Sequence, residues 1–137
     1  MMIGIVLCCH GSMGEGVRDA AEMIAGRQER IAVVGVGPGD GARSIQDALN
    51  AAIAQVDGGQ GILILTDMFG GTPTNVGCTL LHHGKVEVVT GFNLPLLLKA
   101  LTARGETTDV SELAAVAMVH GRRHISVAGE LLRGDKA

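Results

Sequence analysis

One histidine, His10, stands where the apolar run Ile3-Gly4-Ile5-Val6-Leu7-Cys8-Cys9 gives way to a glycine-containing turn. A second apolar run, Gly61-Ile62-Leu63-Ile64-Leu65, ends at Thr66-Asp67 and is followed by Met68-Phe69-Gly70-Gly71-Thr72-Pro73. If both runs are buried strands of one parallel sheet, they deliver an imidazole and a carboxylate to their carboxyl ends, where open α/β sheets bind ligands. A neutral imidazole near pH 7 is a competent nucleophile, and a hydrogen bond at one ring nitrogen leaves the lone pair of the other free to attack. A buried carboxylate in Asp67 would orient the ring and stabilise its cation, which suits a histidine that becomes phosphorylated. His10 and Asp67 are therefore the expected catalytic pair.

A phosphoryl group needs donors as well. Helix starts expected at Ser12 and Thr72, directly after the two reactive strands, offer unpaired N–H groups and positive dipole ends. Gly11, Ser12, Gly70, Gly71 and Thr72 are the expected phosphate cradle, the glycines allowing close backbone approach. Phe69, Asn93 and Leu94 are expected to form a rim that faces a partner.

These groups require a scaffold, and the apolar pattern supplies one. Short apolar runs at 3–9, 31–36, 61–66 and 86–90 alternate with segments of helical periodicity, as in βαβ units around a parallel sheet. Ser12-Met13-Gly14-Glu15 reads as a capping box for a first helix with Val17, Ala21 and Ile24 on its apolar face, stopped by Gly26. A second helix places Ile45, Leu49, Ala52, Ile53 and Val56 on one stripe. Thr72 caps a third helix with Pro73 in its first turn, and His82-His83-Gly84 closes it. Asn93 introduces a fourth, with Leu94, Leu97, Leu98 and Leu101 on its stripe. Asp109-Val110-Ser111-Glu112 opens a fifth that runs to about Val119. After Gly121, residues 124–128 alternate polar and apolar, as a half-buried antiparallel edge strand would. The expected fold is a single α/β domain over 1–130, with three αβα layers, a mainly parallel four-stranded sheet and this added edge strand, and a frayed tail over 131–137.

Composition excludes several functions. A net charge of -3 with no basic run, two phenylalanines and no Trp or Tyr leave neither the electrostatic footprint nor the stacking platform of a nucleic-acid binder. No run reaches the roughly 18 apolar residues of a membrane helix, and no basic residue precedes the first apolar run as in a secretory signal. A cytoplasmic protein without direct membrane insertion is expected. Cys8, Cys9 and Cys78 are expected to pack as small apolar residues rather than form a disulfide framework. The match to a dinucleotide fingerprint in Gly37-Pro38-Gly39-Asp40-Gly41-Ala42 follows the second strand rather than the first and holds a proline, which argues against it. His120 and His124 have the spacing of helical metal ligands but lack a third, so neither a metal nor an organic cofactor is expected. Arg122-Arg123 reads as a solvated helix end.

Three separated motifs, Ile3-Gly4-Ile5-Val6 leading to His10-Gly11, Leu63 through Pro73, and Gly91-Phe92-Asn93-Leu94-Pro95-Leu96-Leu97, occur in an order and spacing that resemble the mannose-family enzyme IIA domain of the bacterial phosphoenolpyruvate-dependent sugar phosphotransferase system. The resemblance covers roughly residues 2–130. It implies that His10 accepts a phosphoryl group from the phosphocarrier HPr and passes it to a histidine of an enzyme IIB, with Asp67 orienting the ring. It also implies a four-stranded parallel sheet flanked by helices and a homodimer in which a C-terminal strand crosses to the other subunit, a role that 124–128 fit. Cys9 departs from the serine that usually precedes the histidine. The chain ends soon after the matched region, so the acceptor is expected on a separate chain or is absent. The alternative is a regulatory phosphoprotein whose His10 state controls binding to a target; an unrelated α/β hydrolase or nucleotide binder with His10 as a base is a third.

Overall fold

The computed structural model describes residues 2–68, 70–82 and 84–134. Four strands form the sheet: β1 (Gly4–His10), β2 (Ile31–Val36), β3 (Ile62–Thr66) and β4 (Val86–Thr90). Their order is β2-β1-β3-β4, and every pairing is parallel. The helices are α1 (Met13–Ala25), α2 (Ala42–Val56), α3 (Thr72–Cys78), α4 (Leu94–Ala103), α5 (Val110–Arg123) and α6 (Ala128–Leu132).

The strands read as nearly continuous apolar runs because helices cover both faces of the sheet. Strand alternation divides the core in two. Ile5, Leu7, Cys9, Leu63 and Leu65 pack with α1, α4 and α5, whereas Val6, Cys8, Ile62 and Ile64 pack with α2 and α3. All nine are at most 2% exposed, so β1 and β3 are the centre of the molecule as well as of the sheet. The chain leaves β1 toward α1 on one face and leaves β3 toward α3 on the other. A crevice therefore opens between the two adjacent carboxyl ends, the topological switch point of this sheet.

The strands lie where the sequence puts them, within a residue at either end. Helices α2 and α4 also bury the expected stripes, including Ile45, Leu49, Leu97 and Leu101. Helix α1 stops at Gly26 as expected, but Ile24 is 63% exposed and Ala21 is the apolar residue fully buried on that helix. Ser12 does occupy the N-cap of α1, yet its side chain makes no capping bond. For α3 the N-cap is Gly71, not Thr72, which is the first helical residue and is also without a capping bond. The expected capping side chains work at Asn93, whose Oδ1 accepts from the Leu96 N–H at 2.9 Å, and at Asp109, whose Oδ1 accepts from the N–H groups of Ser111 and Glu112 at 2.9 and 3.4 Å.

Three expectations for chain ends are corrected. Helix α3 finishes at Cys78, and His82 sits beyond it in an isolated bridge to Val86, so it caps no helix; His83 lies outside the described residues. Gly121 does not break α5. It lies inside that helix because a Cβ there would come within 2.8 Å of Leu96 Cβ and 2.9 Å of Asn93 Oδ1, so glycine lets α5 approach the start of α4. Because α5 continues to Arg123, only residues 124–127 separate it from α6, too short a span to turn back along β4. Within the chain 124–128 therefore form no strand, and α6 occupies 128–132, including part of the expected frayed tail; 135–137 lie outside the described residues.

Candidate functional site

His10 is the last residue of β1, and Asp67 directly follows the last residue of β3. Although 57 positions apart in the chain, they meet: the Asp67 Oδ2 accepts the backbone N–H of His10 at 2.9 Å and lies 2.8 Å from the ring Nδ1. This contact follows from the register. Cys8 stands opposite Thr66 across the β1–β3 ladder, so the residues just beyond leave the sheet side by side.

Burial by itself would raise the pKa of Asp67. The His10 backbone N–H, the ring N–H and the ring's positive charge outweigh it, and the carboxyl is held below its ordinary value. An ionised carboxylate can only accept, so when the ring is neutral its proton resides on Nδ1 and the lone pair of Nε2 is free. The imidazole side chain is 49% exposed and that of Asp67 is 11% exposed. A reagent can thus reach the nucleophilic nitrogen while the orienting carboxylate stays shielded. Asp67 Oδ1 is buried and accepts no hydrogen bond from the described residues, so the carboxylate acts through Oδ2.

By strand alternation His10 shares a side with Val6 and Cys8, the side of α3. Accordingly, a Cβ placed on Gly71 would lie 3.1 Å from His10 Cε1 and 3.7 Å from Nε2. The backbone of the α3 N-cap is packed beside the reactive edge of the ring, a position that any larger residue would crowd. Gly11 and Gly70 take positive φ, 57° and 86°, which lets the chain turn sharply after each site residue. Ser12 and Thr72 are exposed at the starts of α1 and α3.

Other expected site residues are placed differently. Asn93 uses its side chain internally: beside the cap bond, its Nδ2 donates to the Gly121 carbonyl at 2.9 Å, joining α4 to α5. Leu94 is partly buried against the core. Phe69 lies outside the described residues. The Cys8 and Cys9 thiols are pushed up to about 12, first by burial and then by the Asp67 charge, so neither supplies a thiolate near neutral pH. Cys9 points to the α1 side, opposite to His10.

Sequence reasoning missed two hydroxyls. Thr66 and Thr74 are 0% and 1% exposed and bonded to each other, next to the turn that carries Asp67. Their signal was present: a threonine ending an otherwise apolar strand, and a second following Pro73 on the buried face of a helix. A cavity of about 610 Å³ at the opposite end of the sheet, lined by Gly61, Ile62, Lys85 and Val86 among others, includes neither His10 nor Asp67. Among the described residues no group of three His, Cys, Asp or Glu side chains could hold a metal ion, and no helix is long and apolar enough to cross a membrane.

A family model described as "PTS system fructose IIA component" matches residues 4–118, which span the sheet and both site residues. The chain belongs to the mannose-family enzyme IIA proteins of the sugar phosphotransferase system. This IIA chain is 34% identical over 126 residues to the mannose-specific EIIAB component of Escherichia coli, covering 91% of itself but 39% of that protein's length. It is 31% identical to the sorbose-specific EIIA component of Lacticaseibacillus casei, over 81% of this chain and 80% of that one. Its fold matches the crystal structure of a phosphotransferase system EIIA component from Streptococcus agalactiae with a TM-score of 0.85 and 29% identity, over 93% of this chain and 98% of the other. The three-layer α/β architecture with a parallel four-stranded sheet is thus that of IIA proteins.

Proposed function

We propose that His10 is a transient phosphoryl carrier, charged by phospho-HPr and discharged to a histidine of an enzyme IIB. The observation that carries this reading is the hydrogen bond from His10 Nδ1 to Asp67 Oδ2 at 2.8 Å in a ring that is about half exposed. In the forward step the Nε2 lone pair attacks the donor's phosphorus. A new N–P bond forms as the donor's N–P bond breaks, and the leaving nitrogen keeps the electron pair. The His10 ring becomes cationic while Nδ1 retains its proton, and the adjacent carboxylate stabilises that charge. In the return step the same bond breaks in favour of the acceptor. The backbone at Gly11, Gly70 and Gly71, with Ser12 and Thr72 beside it, would hold the phosphoryl oxygens. Because donor and acceptor are proteins, the work is positioning and electrostatics, which suits an open ledge rather than a closed cavity.

The homodimer belongs to the same proposal. Among the described residues strand β4 pairs with a strand on one side, its other edge meeting only the isolated bridge from His82 to Val86, and Ile125, Val127, Leu131 and Leu132 are 71%, 62%, 52% and 88% exposed. A second copy would cover them if residues 124–128 crossed to its β4 edge. A cytoplasmic location follows from the proposed partners.

The test is incubation with phosphoenolpyruvate, enzyme I and HPr, followed by addition of enzyme IIB. The expected product is an acid-labile, base-stable phosphoprotein that loses its label to the acceptor and does not form in His10→Ala. Labelling that survives His10→Ala refutes the assignment, and a stable label that no IIB accepts favours the regulatory alternative.

A further inference from the structure

We propose that Thr74 is a positioning residue for His10: its hydroxyl locks both chain neighbours of Asp67 to helix α3, and so fixes the slot in which the imidazole sits. The hydroxyl of Thr74 donates to the Met68 carbonyl at 2.6 Å. Each hydroxyl has one proton to give. With that of Thr74 spent on Met68, the bond between the two threonines must run from Thr66 Oγ1 to Thr74 Oγ1. The resulting chain, Thr66 to Thr74 to Met68, brackets Asp67 from both sides.

The same clamp reaches the other wall of the slot. Thr74 is in the first turn of α3, whose N-cap, Gly71, packs against His10 Cε1. Thr66 meanwhile accepts the N–H groups of Gly91 and Phe92 at its carbonyl, at 2.9 and 3.3 Å, which anchors the end of β3 to the β4–α4 turn. One buried side chain therefore sets the distance between the carboxylate that holds Nδ1 and the backbone beside Nε2. A valine at position 74 has the same shape but would leave the buried Thr66 hydroxyl and the part-buried Met68 carbonyl without their partner, and the turn would have to move to satisfy the hydroxyl.

The inference rests on the phosphocarrier reading for its consequence but not for its geometry, and the experiment separates the two. Thr74→Val, Thr74→Ser and Thr66→Val are each labelled with ¹⁵N in the histidine ring and compared with the parent. For Thr74→Val we expect single-turnover transfer from phospho-HPr at saturation to fall about tenfold or more. The half-saturating concentration of phospho-HPr should be unchanged, and the ring's Nδ1–H tautomer should lose population. Thr74→Ser, which keeps the hydroxyl, should restore both signals, and Thr66→Val should shift both in the same direction by less, which keeps the idea testable if Thr74→Val does not fold. Unchanged rate and tautomer in Thr74→Val overturn the proposal. So does a slower rate with an unaltered tautomer, or Thr74→Ser falling as far as Thr74→Val. Absence of label in the parent protein overturns the phosphocarrier reading instead, and the tautomer populations then decide the role of Thr74 on their own.

Discussion

At the scale of single residues, the decisive relation is between a shielded carboxylate and an accessible ring. Asp67 is held ionised by two donors of one histidine, and this makes its charge a pH-dependent part of stability. Because its pKa is lower in the folded chain, the stabilisation is fully present above the unfolded value, near pH 4, and is lost as pH falls through the still lower folded value. The parent protein should therefore melt at a higher temperature than Asp67→Asn at pH 7, and the gap should close as the pH is lowered below about 4; a gap independent of pH would mean that the carboxylate contributes no charge effect. In the proposed transfer, the same variant should be slower by about a hundredfold or more, since an amide neither secures the tautomer nor stabilises the ring cation. Rapid-quench measurement with phospho-HPr checks this. Much of the site was legible here, because His10 and Asp67 each end an apolar run. Thr66 and Thr74 were not, because a buried hydroxyl is recognised only through its partner, and that partner is set by how α3 lies on the sheet.

At the scale of elements, the chain shows the difference between a residue suited to a cap and one that forms it. Asp109 and Asn93 bond the free N–H groups of the helices they precede, whereas Ser12 and Thr72, equally suited by type, do not. Asp109→Ala should cost about 1 kcal/mol of stability, and Ser12→Ala less than about half that, by urea denaturation. Equal losses would show that Ser12 caps in solution. The starts of α1 and α3, beside His10, carry no side-chain cap, as is also true of α2 and α6, so the hydroxyls of Ser12 and Thr72 remain available to another acceptor, as the proposed phosphate cradle requires. Gly121 teaches the converse lesson. A glycine near a helix end reads as a stop, yet here it permits the close contact of α5 with the α4 cap, a reason that exists only once two helices are packed.

At the scale of the whole molecule, the strand order β2-β1-β3-β4 creates the crevice. Any other order that separated β1 from β3 would leave the imidazole and the carboxylate a strand's width or more apart. The C-terminal segment is the part that a single chain leaves unaccounted for, with apolar side chains exposed beyond α5 and, among the described residues, a β4 edge that no strand covers past the His82 bridge at Val86. If these meet in a homodimer, sedimentation equilibrium should give twice the 14.1 kDa chain mass, and removal of residues 124–137 should give a monomer that is still folded by circular dichroism. A monomeric parent protein would refute the exchanged strand.

Strand positions, the stripes of α2 and α4, and the placing of His10 and Asp67 at strand ends follow from the sequence alone, because burial on two faces demands continuous apolar runs and polar groups can only appear where those runs stop. The tertiary structure decided the rest: which strands are neighbours, that His10 turns toward α3 and Cys9 away from it, that Thr74 holds the Asp67 turn, and that α5 continues through Gly121. Each of these depends on contacts between segments far apart in the chain. Local periodicity records how an element faces the core, but not which element it meets there.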